Sequence, residues 1–125
     1  MTAQRFQDLS LADRGRSWNA DAADRRVRTW AGAESAPNAR YRKAFLWYDR
    51  DRADEFTAYK LPIADVIGGD LKVVPRAVMS AAQVVNGARG GVDLPVRDVA
   101  GVKRTIARYY EKFGETAPWE QKKAA

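Results

Sequence analysis

The chain has 125 residues, 46% of them hydrophobic and 10% aromatic, and a formal net charge of +6. That length suits one domain with one core, and the composition suits a folded chain rather than a disordered one. Histidine and cysteine are both absent, which excludes Ser–His and Cys–His nucleophiles, imidazole- or thiolate-bound metal, and disulfides.

An enzyme of this composition would have to rely on carboxylates, lysine, tyrosine or hydroxyls. The basic excess is diffuse: residues 1–62 hold 12 basic and 9 acidic groups, and residues 63–125 hold 10 and 7. Each half therefore carries +3, with no basic tail, which weakens a nucleic-acid reading. No apolar run approaches the ~18 residues of a membrane span, and "MTAQRFQDLS" lacks the apolar centre of a signal peptide. These features lead us to expect a protein of the cytoplasm, or of a particle assembled there, with no membrane contact.

Residues 1–16 read as an N-terminal arm, because apolar positions are few and aperiodic. Phe6, Leu9, Leu11 and, just beyond, Trp18 are the large apolar anchors of this region; such an arm is either frayed or laid against a partner, and in the second case these residues are the candidate contacts. Residues 17–120 are expected to form one compact domain, with 121–125 as a tail. The first helix is "NADAADRRVRTWAG": Asn19 is the N-cap, Ala23, Val27 and Trp30 share a face, and Gly32 ends it. Asp21–Arg25 and Asp24–Arg28 stand at i, i+4, so "DRRVR" reads as a helix face largely neutralised on its own helix.

After "ESAPN", the stretch "ARYRKAFLWYD" predicts a helical turn followed by a short buried strand. "DRDRADEF" reads as a charged loop whose signs cancel locally. "TAYKLPIADVI" and "LKVVP" flank "GGD", a hairpin signature, and Pro62 implies an edge strand or a bulge. Asp65 and Asp70 read as turn residues of that hairpin. "PRAVMSAAQVVNG" predicts a helix with proline in its first turn and Val78, Ala82 and Val85 on one face, ended by Gly87. The last long helix is expected in "LPVRDVAGVKRTIARYYEKFG", capped by Asp93. Its apolar stripe runs Val96, Val99, Val102, Ile106, Tyr109/Tyr110 and Phe113, and Gly114 stops it. Gly101 in mid-helix costs about 1 kcal/mol relative to Ala and hints at a close neighbour. The fold expected is α+β: an N-terminal helix, a small antiparallel sheet of two or three strands, and two C-terminal helices.

Few motifs carry chemistry. "GARGGVD" resembles a phosphate loop in its glycines, but it lacks the Lys and Ser/Thr of GxxxxGK[ST] and follows a helix rather than a strand. It reads as a helix–helix corner, with Arg89 free to contact a partner. Asp49, Asp51, Asp54 and Glu55 alternate with Arg50 and Arg52 and lack the spacing of a calcium loop. No cofactor, metal or small-molecule substrate is expected. Arg97, Arg104, Arg108 and Lys112 recur at intervals of 7, 4 and 4, forming a basic ridge opposite the apolar stripe. Such a ridge can meet phosphates or an acidic protein surface.

Taken together, "SWNADAADRRVRTWAG", "YRKAFLWYD", "YKLPIADV", "VPRAVMSAAQVVNGARGGVDLP" and "ARYYEKFGETAPWE" resemble a small domain of unknown activity from tailed bacteriophages and prophages. They cover most of residues 17–120. That domain occurs beside head-assembly genes, sometimes at the C-terminal end of prohead proteases or other head proteins. The resemblance implies a virion or assembly component of the phage head: a decoration protein, minor capsid subunit or assembly factor. Its partners would be capsid or other head proteins, or further copies of itself. It assigns no reaction, and the absence of histidine removes Ser–His protease chemistry. The alternative expectation is a nucleic-acid-binding accessory protein that uses the basic ridge.

Overall fold

A computed structural model describes residues 2–4, 6–87 and 93–121. The chain is α+β. Strand β1 (Thr2–Ala3) precedes helix α1 (Ala20–Ala31), the single-turn α2 (Ala39–Arg42) and strands β2 (Phe45–Tyr48), β3 (Tyr59–Pro62), β4 (Ala64–Ile67) and β5 (Asp70–Val73). Helices α3 (Pro75–Val85), α4 (Val96–Lys112) and the short α5 (Pro118–Gln121) complete it.

The helix ends follow local chemistry. The Asn19 side chain accepts a hydrogen bond from the Ala22 N–H, and Gly32 closes α1 at φ 67°, a left-handed conformation that suits glycine. Pro75 opens α3, where its missing N–H leaves no helical bond unmade. Helix α4 begins after Pro95 with no side-chain cap, so Asp93 is not the cap expected of it. Val96 is 88% exposed and falls off the predicted stripe, since it lies in the first turn before the helix meets the core. Val102, Ile106, Tyr109 and Tyr110 are buried as expected.

The strands divide into two groups. One antiparallel sheet has the order β1–β2–β3, with Thr2 opposite Tyr48 and Trp47 opposite Lys60. The other is the β4–β5 hairpin, turned by Gly68 and Gly69 at φ 62° and 86°, the geometry that "GGD" predicts. "TAYKLPIADVI" is thus two strands rather than one. Leu61 takes φ 63° immediately before Pro62, and the ladder with β2 ends at Pro62 on the sheet's edge. The next residues turn instead to β5.

Strand β2 is buried throughout because it lies between two clusters. One cluster joins Leu46 and Trp47 to Val73, Val74, Val78, Ala82, Val102 and Ile106. The other is aromatic, with Tyr41 against Phe45, Phe56 and Tyr59 at centroid distances of 4.9–5.3 Å.

The N-terminal segment is part of this fold, contrary to the arm expected over residues 1–16. Beyond the β1–β2 ladder, the Ala12 N–H donates to the Val73 carbonyl and the Val73 N–H to that of Ser10, both at 2.8 Å. Ala12 is buried, and Phe6, Leu9, Leu11 and Trp18 pack, partly buried, against the larger cluster. The physical reason is long-range pairing. The segment's few apolar residues need no period of their own, because β2, β5 and α4 supply the surface they cover.

Candidate functional site

The predicted basic ridge on α4 is present but divided. Lys112 pairs with Asp8 at 2.9 Å and also donates to the Leu9 carbonyl, so it ties down the N-terminal segment. The Arg108 guanidinium lies 4.3 Å above the Phe6 ring, a cation–π contact. Arg14 adds an ion pair to Glu115 and donates to the Phe113 carbonyl at 3.1 Å. Arg97 and Arg104 are exposed, and among the described residues neither has an ion-pair partner. Arg89 lies outside the described residues, as do Gly90 and Gly91 of the glycine corner.

Beside Arg104 runs an open groove of about 700 Å³. Its floor is the outward face of α4, where Ala100, Gly101, Thr105 and Ala107 are small enough to leave room. One wall is Gln4 and Phe6 of the N-terminal segment, and the other is Trp119 of α5. Each wall is fixed from beneath or beside. The Phe6 ring packs on Tyr109 at 4.7 Å, the Thr105 hydroxyl donates to the Gln4 carbonyl at 3.2 Å, and Lys103 sits 5.2 Å from the Trp119 ring. Tyr109 is itself buried, and burial pushes its phenol up from the ordinary tyrosine range. It acts as a neutral prop, not a titrating group. Lys103, Arg104, Arg108, Glu111 and Glu120 surround the opening.

Of the anchors predicted to meet a partner, Phe6 alone helps to form this groove. Leu9, Leu11 and Trp18 are spent on the core. The predicted ridge contributes Arg104 and Arg108. Sequence reasoning missed the groove because its two walls are 113 residues apart in the chain (Phe6 and Trp119). Gly101, which in sequence hinted at a close neighbour, lies in the groove's floor.

A second polar feature was also missed. Asp65 is only 3% exposed, although it reads in sequence as a turn residue. Its carboxylate accepts from Arg26 Nε and Nη2, both at 2.8 Å, from Arg16 Nη2 at 3.3 Å and from the Val66 N–H at 2.7 Å. Burial pushes this carboxyl up, but the bonds from Arg26, Val66 and Arg16 outweigh it and hold it below the usual aspartate value. Arg26 is therefore neutralised across the fold and not on its own helix, whereas Arg28 does pair with Asp24 at 2.9 Å as predicted. The cluster joins the N-terminal segment, α1 and β4. In the charged loop, Arg52 pairs with Glu55, in line with local cancellation. The signal for Asp65 was an acid inside the apolar run "PIADVI".

Trp47 is buried, and its indole N–H donates to Asp98 at 2.9 Å, fastening β2 to the first turn of α4. Among the described residues no group of three or more His, Cys, Asp or Glu side chains could hold a metal ion, and no helix is long and apolar enough to cross a membrane. Comparisons with protein-family models, with curated proteins and with solved structures found no match for the chain.

Proposed function

We propose that the protein is a non-enzymatic component of a bacteriophage head, a decoration protein, minor capsid subunit or assembly factor, that works through protein–protein contacts. The head assignment draws on the resemblance of residues 17–120. The contact mode is carried by one observation, the open groove on α4 with its small apolar floor, aromatic walls and charged rim. A recess on a core-packed helix offers a pre-formed surface, so little ordering cost attends binding. Concave sites with an apolar lining and a few placed polar groups are where ligands dock.

The direct test is mass spectrometry of purified heads and proheads from cells carrying the gene, together with co-sedimentation of the protein with heads that lack it. The expected result is saturable binding to heads or proheads. Its absence from both particles, with no co-sedimentation, overturns the proposal.

A second reading, nucleic-acid binding, is favoured by the exposure of Arg97 and Arg104 on one helix face. It requires DNA affinity that falls steeply with salt and vanishes when both arginines are replaced by alanine.

A further inference from the structure

We infer that the α4 groove receives an acidic segment of a partner protein, which seats one bulky apolar side chain on Ala100, Gly101 and Ala107 and sets its carboxylates against Arg104 and Arg97. This rests on the protein-contact reading above and adds the chemistry of the occupant. The first ground is shape. A groove of about 700 Å³ falls within the roughly 300–1,000 Å³ of sites that bury a small ligand or a few side chains. The small residues of its floor leave the depth that a leucine- or phenylalanine-sized group would fill. The apolar surface so removed from water is the main source of affinity.

Charge selects the occupant. Arg104 stands at the groove, exposed and without an ion-pair partner among the described residues. Arg97 lies on the same helix face seven residues earlier, about 10 Å along the axis. A planar guanidinium with five donors matches a carboxylate in bidentate fashion. Two exposed arginines in a row thus suit a segment with two acids at comparable spacing.

The same rim disfavours a nucleic acid. Stacking of bases needs an open ring face, but the Phe6 ring is covered by Arg108 at 4.3 Å and Trp119 is approached by Lys103 at 5.2 Å. Glu111 and Glu120 also border the groove, and they would repel a continuous phosphate chain. A peptide can place its acids beside the arginines and present neutral residues to the glutamates.

The test uses the full chain and a displayed library of random twelve-residue peptides, which when extended reach about 40 Å and so can run along the α4 face from Arg97 to Glu111, about 21 Å. Selected peptides should be enriched in Asp and Glu around a large apolar residue. Arg104→Glu, which reverses the charge, and Ala100→Trp, which fills the groove from an exposed position, should each weaken them by at least about tenfold. Arg76→Glu, exposed on α3, should leave affinity unchanged. Thermal unfolding of all three variants checks that the fold is retained.

Failure to select any peptide, selection without acidic bias, or equal binding to the groove variants overturns the inference. So does a single-stranded oligonucleotide that binds at physiological salt more tightly than the peptides and is lost in Arg104→Glu. The two proposals fail separately. If Ala100→Trp still occupies heads fully, the groove inference is wrong and the head reading stands. If acidic peptides fill the groove but the protein is absent from heads and proheads, the reverse holds.

Discussion

Replacing Asp65 by Asn changes one buried charge while keeping the side chain's shape. The carboxylate accepts four hydrogen bonds, three of them from Arg26 and Arg16. An amide keeps one oxygen acceptor but turns an NH2 toward a guanidinium, so up to two charge-assisted bonds are lost. Such bonds are worth about 1.5–3 kcal/mol each when buried. The arginine side chains here are 36% and 48% exposed, so water recovers much of their solvation and the value must be discounted. The expected cost is about 2 kcal/mol at pH 7, or roughly 6–12 °C in melting temperature for a domain of this size. The pH dependence follows from the carboxyl being held below its ordinary value. Its stabilising contribution is fully present above the unfolded aspartate pKa of about 3.9 and is lost as pH falls through the lower folded value. Arginine stays charged throughout. Thermal unfolding of wild type and Asp65→Asn from pH 7 to pH 2 should show a constant gap down to about pH 5 that closes below about pH 4. A gap that persists unchanged at pH 2, or no gap at pH 7, would refute the reasoning that this cluster is a charge-stabilised tie.

The remaining expectations concern the N-terminal segment and the hairpin. Deleting residues 1–16 removes β1, the backbone bonds to Leu46 and Val73, and the packing of Phe6, Leu9 and Leu11. At about 1 kcal/mol per bond and a similar amount per half-buried side chain, the loss is at least about 6 kcal/mol. That is comparable with the whole stability of many domains. Circular dichroism should show a much lowered or absent unfolding transition, and a truncated chain that melts like the full one would restore the arm reading. Gly69→Val forces a β-branched residue to φ 86° and should cost about 1–2 kcal/mol. Gly69→Asn should cost less, and equal melting of the two variants would show that the turn relaxes.

Elements set by neighbours a few residues away are legible in the amino-acid sequence. Asn19 and Gly32 bound α1 as expected, Pro75 opens α3, Gly114 follows α4 at φ 81°, and Gly68–Gly69 turn the hairpin. The aromatic run over Phe45–Tyr48 forms a buried strand, again as its composition indicates. In each case the cap, turn or pattern is complete within one turn of helix or one strand. Helix α4 shows the limit. Its apolar stripe follows the periodicity from Val102 to Tyr110, but Asp93 and Val96 fit the pattern without capping the helix or reaching the core. Spacing alone makes the ridge four equivalent cations, yet Arg108 and Lys112 are engaged with Phe6, Asp8 and Leu9.

Helix ends, chain reversals and the apolar stripe of α4 are encoded locally, because capping, left-handed glycines and periodicity act over a few residues. That the stretch from Phe6 to Ala12 packs on the core, that Asp65 is buried between two arginines, and that Phe6 and Trp119 line one groove on α4 follow instead from how distant parts of the chain pack together. Those pairings join positions 39 to 113 residues apart. They arise from the surfaces that remain to be covered once the local elements have docked. A short segment with three irregular apolar residues carries no period that would announce its place, and its partners on β2, β5 and α4 are defined only when those elements come together.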